Sequence, residues 1–186
     1  SLERSGLMST SQDDGLPRRF GNYQLLNRLG QGGAGTVYLA RDERQGREVA
    51  LKMSSMPIQK GDRAAERFAR EARALTELPH PCIVPVIDVG EVEGLAYFTM
   101  EYVKGRPLDE AVSRLQAMDR EVHDLEGGDL DTVVGHTEGV WMGHSYVESI
   151  CRIILDVADA LEHAHTSGVL HRDVKPSNVC PLYTSP

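Results

Sequence analysis

Residues 171–178 read HRDVKPSN, and this string decides how the whole chain is interpreted. Asp173 can accept the proton of an attacking hydroxyl group, and Lys175, two residues later, can stabilise charge on a transferred phosphoryl group. Asn178 can supply a side-chain oxygen to a magnesium ion. A His-Arg-Asp turn alone is common in polar loops. Whether this string indicates catalysis therefore depends on the motifs that precede it in the chain.

A glycine-rich segment, GQGGAGTV, lies between two strand-like runs. It contains Gly30, Gln31, Gly32, Gly33 and Gly35. Glycines in G-x-G-x-x-G spacing let backbone amides approach phosphate oxygens, but the same spacing occurs in ordinary hairpin turns and in dinucleotide-binding folds. A dinucleotide-binding fold needs a helix next, whereas TVYLAR is β-branched and aromatic and predicts a strand.

Lys52 and Glu71 form a candidate ion pair. Lys52 is the last residue of the apolar run EVALK. A lone lysine at the end of a strand is usually a solvated charge. Glu71 interrupts the apolar stripe of a helix predicted to begin at Asp62, and a buried carboxylate needs a cation. Lys52 is the available partner. In the alternative, Glu71 lies at the edge of the stripe and pairs in solvent with Arg67 or Arg70, a contact of little energy.

The order of the predicted elements indicates an α+β fold. The β-type runs YQLLNRL, TVYLAR, REVALKM, IVPVIDVG and LAYFTMEYV are separated by glycine-containing or helical segments. Apolar residues on one face predict a helix over residues 150–165, ending at Gly168. A small antiparallel sheet with one main helix therefore precedes a helical part. Residues 1–20, rich in Ser, Gly, Asp and Arg, are predicted to form a disordered leader.

Composition excludes several classes of protein. The net charge is −8, and the stretch 119–138 alone contributes −6 of it, so no basic face for nucleic acid is expected. No apolar run reaches the roughly 18 residues of a membrane span. Three cysteines without C-x-x-C spacing favour neither a disulfide framework nor a zinc site, and they fit a reducing cytoplasm.

Taken in order, these motifs resemble the signature of the eukaryotic-like serine/threonine protein kinase family, in its bacterial form. GQGGAGTV is similar to the glycine-rich loop, VALK to the third-strand lysine motif and HRDVKPSN to the catalytic loop, with Glu71 as the helical partner of Lys52. The resemblance implies ATP and Mg²⁺ as cofactors and protein Ser/Thr hydroxyls as acceptors. Asp173 and Lys175 would be catalytic, and Asn178 would hold the metal.

The same resemblance implies an adenine site at FTMEYV. Met100 would guard the back of the pocket, and Glu101 and Val103 would offer backbone groups to the adenine edge. The faces of the base would be covered by Leu29, Val37 and Ala50. Residues 21–103 would then form the N-lobe and hinge, and residues 104–179 the beginning of a helical C-lobe.

The chain departs from the family pattern in two places. From Glu101 to His171 it runs 70 positions, which predicts an acidic insertion near 113–145. This insertion is interpreted as a solvated surface loop in preference to a docking site for a basic partner. Residues 180–186 do not continue the pattern, so we expect a truncated domain whose tail is an artefact, in preference to a naturally short protein.

These features predict a serine/threonine kinase whose 186-residue segment, ending before the Asp-Phe-Gly motif, is itself inactive. Every catalytic residue that the segment can carry is present, which argues against the alternative of a nucleotide-binding pseudokinase scaffold. A binding module that uses the acidic insertion has only charge in its favour.

Overall fold

A computed structural model describes residues 15–32, 35–55, 57, 68, 72, 76, 78–135 and 141–181. Six strands form one antiparallel sheet in the order β1-β2-β3-β4-β6-β5. The strands are β1 (Arg18–Phe20), β2 (Tyr23–Gly32), β3 (Gly35–Asp42), β4 (Glu48–Met53), β5 (Val86–Val92) and β6 (Leu95–Glu101). The helices are α1 (Leu108–Gln116), α2 (Gly127–Val134) and α3 (Tyr146–Thr166), with 3₁₀ turns at Val122–Asp124 and Pro176–Asn178. The predicted sheet-then-helix order is confirmed.

Strand β1 corrects the prediction of a disordered leader over residues 1–20. Arg18 to Phe20 pair with β2, and Phe20 is buried in the main core of the sheet. Leu16 packs against the same core. A strand of three residues shows no alternation in a polar sequence, so its pairing depends on the neighbouring strand and is invisible locally. Residues 1–14 lie outside the described residues.

The two faces of the sheet carry different residues, because side chains alternate along each strand. One face holds the larger core, formed by Phe20, Tyr23, Leu25, Tyr38, Ala40, Val49, Leu51, Met53 and Tyr97. On the opposite face Phe98 packs with Phe68 and Ala72, which lie in the predicted first helix and are helical. The rest of that helix, including Glu71, lies outside the described residues.

The acidic insertion is not the solvated loop that its charge predicts. It contains α2, whose Leu130, Val133 and Val134 are buried together with Trp141. These side chains join a second core with Ala111 and Leu115 of α1 and Ile153 of α3. The apolar spacing 130, 133, 134 is that of a helix face, and this signal outweighs the surrounding acidity. Residues 136–140 lie outside the described residues.

Helix α3 begins four residues before its predicted start, at a capping box in which Ser145 and Glu148 satisfy each other's backbone amides. It ends as predicted, with Gly168 in the left-handed region at φ 77°. Its predicted apolar face is only partly covered: Ile153 and Ala164 are buried, but Ile154 is 60% exposed. None of the helices within the described residues is long and apolar enough to cross a membrane.

The loop before β5, which follows the helix predicted after Asp62, joins the sheet to α3. The His80 Nε2 atom lies 3.1 Å from Asp159 Oδ2, and its ring lies against His163 at a centroid distance of 5.2 Å. Nδ1 of His80 accepts a hydrogen bond from the Cys82 amide, so Nε2 carries the proton donated to Asp159 in the neutral tautomer. This contact ties the β5 side of the sheet to the helical part of the chain.

Candidate active site

Four of the residues predicted to bind nucleotide lie on one face of the sheet. Val37 is paired with Lys52, and Ala50 is paired with Met100, in adjacent antiparallel strands. Directly paired residues point to the same side, and positions two apart on one strand do so as well. Val37, Ala50, Lys52 and Met100 therefore share the face opposite the larger core.

The glycine-rich segment is a β-hairpin, as predicted in preference to a dinucleotide-binding turn. Gly30 is opposite Val37, Gln31 is opposite Thr36, and Gly32 is opposite Gly35. Gly33 lies outside the described residues. The segment thus extends the row that contains Val37 and Lys52 toward the tip of the hairpin.

Gly30 and Gly32 have no packing reason to be glycine. A Cβ atom added at either position meets nothing within 4 Å, and neither has a positive φ. Gly35 differs, because its φ is 145° and a Cβ atom there would overlap the carbonyl oxygen of Met53. Packing among the described residues therefore explains Gly35 and not Gly30 or Gly32, whose predicted role beside phosphate stays a prediction.

Lys52 is half-buried in the middle of this face. Its Nζ atom lies 5.6 Å from the centre of the Phe98 ring, a cation–π contact. Phe98 is 1% exposed and packs against Phe68 and Ala72. Because Glu71 lies outside the described residues, its pairing with Lys52 stays a prediction.

The hinge after β6 presents a backbone donor where the adenine edge is expected. The Glu101 amide donates to the Pro85 carbonyl at 3.3 Å, and the Val103 carbonyl accepts from the Gly105 amide at 2.9 Å. Among the described residues, none accepts a hydrogen bond from the Val103 amide. Leu29, at a bulge of β2, has a side chain that is 46% exposed. Leu29 is therefore accessible to a ligand, and the Val103 amide has no hydrogen-bond acceptor within the described part of the chain.

The three predicted residues of the catalytic loop lie together. Lys175 Nζ is 2.8 Å from Asp173 Oδ2, and the Asn178 side-chain amide donates to the Asp173 carbonyl oxygen at 2.9 Å and to Oδ2 at 3.3 Å. With its nitrogen facing Asp173, Asn178 has its Oδ1 atom left for a cation. All three residues are exposed.

Electrostatics keep Asp173 ionised. The hydrogen bond from Lys175 holds the pKa of the Asp173 carboxyl group below its ordinary value of 3.8, and the charge of Lys175 and the amide of Asn178 act in the same direction. At neutral pH Asp173 is therefore a carboxylate, the form that accepts a proton or orients a hydroxyl group.

Two other residues of this loop, His171 and Arg172, were not predicted to bind nucleotide or metal or to act in catalysis. His171 Nδ1 accepts a hydrogen bond from the Asp173 amide at 3.3 Å, which fixes the turn that aims Asp173. Arg172 has a φ of 62°, a left-handed backbone conformation that is uncommon for a residue with a side chain. Such conformations cluster at functional sites.

The described residues thus form two groups, one on the sheet face and one in the catalytic loop, and the hinge joins them in the chain. The sequence model of the protein kinase domain matches residues 23–182, a range that contains both groups. The chain belongs to the protein kinase family. The match extends to Leu182, into the tail that departs from the motif pattern. The first two residues of that tail are not exposed: Cys180 is half-buried and Pro181 is buried.

Named relatives agree with this assignment. The chain is 30% identical over 94% of its length to serine/threonine-protein kinase PknD of Protochlamydia amoebophila, and 37% identical over 91% to PksC of Streptomyces coelicolor. Among solved structures, the kinase domain of Mycobacterium tuberculosis PknI is similar, with a TM-score of 0.57 and 29% identity. That likeness covers 87% of this chain and 55% of the PknI chain. The chain spans 16% of PknD and 28% of PksC.

Proposed function

We propose that the protein transfers the γ-phosphoryl group of ATP to Ser or Thr hydroxyl groups of other proteins. The observation that carries this proposal is the cluster of Asp173, Lys175 and Asn178. It unites an ionised carboxylate, an exposed cation and a side-chain amide whose nitrogen donates to that carboxylate. Family membership and the names of the relatives support the same reaction.

The sheet face fits a nucleotide. Val37 and Ala50 offer small apolar surface to the base, and the Val103 amide offers a donor to its edge. Gly30 and Gly32 leave open space where phosphate oxygens would approach the backbone, and Lys52 supplies positive charge on the same face. The cation, the open backbone at the glycines and the apolar surface therefore support a triphosphate nucleotide as the ligand.

Each residue of the loop has a separate task in the proposed reaction. Asp173 orients the acceptor hydroxyl group and takes its proton as the hydroxyl oxygen bonds to the γ-phosphorus, while the bond from that phosphorus to the β–γ bridging oxygen breaks and ADP leaves. Lys175 exchanges its exposed contact with Asp173 for the transferred phosphoryl group, since an exposed ion pair contributes only about 0–1 kcal/mol. Asn178 Oδ1 would hold Mg²⁺, which supplies charge neutralisation of the phosphates.

The substrate and the compartment follow from the same proposal. The acceptor is a protein segment with an exposed Ser or Thr. We place the domain in the cytoplasm, because it needs ATP and its cysteines Cys82, Cys151 and Cys180 are free thiols.

Transfer of labelled phosphate by the full-length protein tests the proposal. Wild type should label Ser or Thr in a generic protein substrate, and Asp173→Asn should lower the rate about 10²–10⁴-fold. Asp119→Asn, an exposed carboxylate outside the site, should leave the rate unchanged. ATP binding without any transfer above the Asp173→Asn rate would favour the pseudokinase scaffold.

A further inference from the structure

The insertion forms a packed module with an unassigned role. We define the inserted module as residues 125–135 together with residues 141–145. Its apolar side chains are buried against α1 and α3, and its interior contains a carboxylate. Asp131 is 5% exposed, and both of its oxygens accept from the Trp141 amide, at 3.0 and 3.2 Å. The module is therefore a fixed body and not a passive loop.

Close backbone packing supports the same conclusion. A Cβ atom at Gly127 would overlap the Trp141 carbonyl oxygen, and the Gly127 amide donates to the His144 carbonyl at 2.9 Å. Helix α2 begins at a capping box formed by Glu126 and Asp129. These contacts fix the N-terminal end of α2 against residues 141–144.

Arg106 attaches the hinge to the opposite, C-terminal end of α2. Its Nη1 atom donates to the Val133 carbonyl at 3.0 Å, and its backbone amide donates to the Val134 carbonyl at 3.3 Å. The last carbonyls of a helix lack intrahelical partners and carry partial negative charge, so a guanidinium group is favourable there. Arg106 also contacts Glu110 at 3.3 Å, and its side chain is only 36% exposed.

The same short segment is attached to the end of the catalytic loop. The Leu108 amide donates to the Val179 carbonyl at 2.8 Å, and Cys180 Sγ lies 3.5 Å from the Arg106 carbonyl oxygen. Val179 packs against the core that contains the module. Residues 106–108 thus touch the inserted module on one side and the residues directly after Asn178 on the other.

We propose that Arg106 is a positioning residue. Through it, the inserted module fixes residues 106–108, where the chain leaves the hinge, relative to the catalytic loop. The module supplies a rigid anchor, Arg106 transmits its position to the hinge, and Leu108 transmits it to Val179. This inference rests on the proposed function for its catalytic consequence, but its structural part does not require nucleotide.

Hydrogen–deuterium exchange on the 186-residue chain tests the structural part. Arg106→Gln should speed exchange about three- to tenfold in peptides covering residues 101–107 and 176–181 as well as in α2, the range that packed networks transmit. Arg114→Gln is the matched control, because Arg114 pairs with the same Glu110 at 3.0 Å and, among the described residues, has no hydrogen bond or ion pair with α2. Faster exchange confined to α2, or no change in Arg106→Gln, would overturn the proposal.

Kinetics of the full-length protein separate positioning from a general loss of structure. Arg106→Gln should raise KM for ATP about three- to tenfold with kcat changed less than about twofold, and Arg106→Lys should recover part of the loss. An unchanged KM, or a fall in kcat alone, would contradict transmission through the hinge. A wild-type protein without transfer activity would refute the proposed function, and the exchange experiment would still decide the role of Arg106.

Discussion

Lys175 Nζ lies 2.8 Å from Asp173 Oδ2, in a loop where both side chains are about half exposed or more. The contact lowers the pKa of Asp173 without burying it. A carboxylate held in this way is ionised across the physiological range and remains accessible to a protein hydroxyl group. The charged, exposed Asp173 carboxylate that the proposed reaction needs is thus held in position beside a cation.

Removal of the Lys175 cation should raise the pKa of Asp173. In Lys175→Met the carboxyl group loses its largest stabilising contact, so its pKa should move upward toward 3.8. Carbon-13 NMR of the Asp173 carboxyl group during acid titration measures the change. Lys104→Met, which removes an exposed lysine paired with Glu48, should leave the titration unchanged. Equal titration curves in wild type and Lys175→Met would contradict the assignment of the shift.

Alanine substitutions at the hairpin glycines should have two kinds of effect, one on stability and one on ATP binding. Gly35→Ala should lower the free energy of unfolding by about 1–3 kcal/mol, because φ is 145° and the Met53 carbonyl occupies the space of a side chain. Gly30→Ala and Gly32→Ala should change stability by less than about 0.5 kcal/mol and weaken ATP binding. Denaturant unfolding and nucleotide titration of the three variants check this. ATP binding that is unaffected by Gly30→Ala and Gly32→Ala would remove the phosphate assignment.

Tyr23 should stabilise the sheet through its hydroxyl group. It donates to Asp88 at 2.7 Å and accepts from Arg44 at 2.9 Å, and the residue is 1% exposed. Tyr23→Phe should therefore cost about 1–3 kcal/mol in urea unfolding, the contribution of a hydrogen bond to a charged group. Tyr38→Phe, a buried tyrosine of the same core, should cost less than about 0.5 kcal/mol. Equal effects of the two substitutions would contradict a special role for the Tyr23 hydroxyl.

The Asp88 carboxylate should make the stability of the sheet sensitive to acid. Burial alone would raise its pKa, but hydrogen bonds from Tyr23 and Arg44 hold the pKa below 3.8. A lowered folded-state pKa contributes stability that is complete above the unfolded value and is lost as pH falls through the folded value. Unfolding free energy should thus decline below about pH 4. The decline should be shallower in Asp88→Asn and unchanged in Asp119→Asn, and a wild-type profile that stays flat on further acidification would contradict this.

Helix α3 should cause self-association of the 186-residue chain. Val147 and Ile154, seven positions apart on one face, are 59% and 60% exposed, and Leu155 beside them is 67% exposed. Ile154→Ser should raise the monomer fraction in sedimentation velocity at little cost in stability. Ile153→Ser, at the adjacent buried position, should instead lower the unfolding free energy by about 2–5 kcal/mol. Association that Ile154→Ser does not reduce would assign the contact to another surface.

The strands and the end of α3 could be predicted because their signals are local. Alternation in YQLLNRL and EVALKM and the glycine at position 168 each act within a few residues. The catalytic cluster could be predicted for the same reason, since Asp173, Lys175 and Asn178 lie within six positions of one another and meet in a single turn.

What the sequence did not predict depends on distant partners. Strand β1 exists because β2 pairs with it, and the burial of the insertion depends on α1 and α3, whereas its acidity indicated a solvated loop. Arg106 meets Val133 across 27 positions, and Tyr23 meets Asp88 across 65. A contact of this kind leaves no periodic signal in one sequence, so only the fold reveals it.

A crystal structure of the protein with Mg²⁺ and a non-hydrolysable ATP analogue tests most directly whether the sheet face and the catalytic loop serve one nucleotide. We predict a single triphosphate between the amides of Gly30 and Gly32 and the Lys52 ammonium group on one side and Asn178 Oδ1 on the other, with the base against Ala50. A nucleotide bound elsewhere, or one that contacts Lys52 while Asn178 faces a separate surface, would contradict the account.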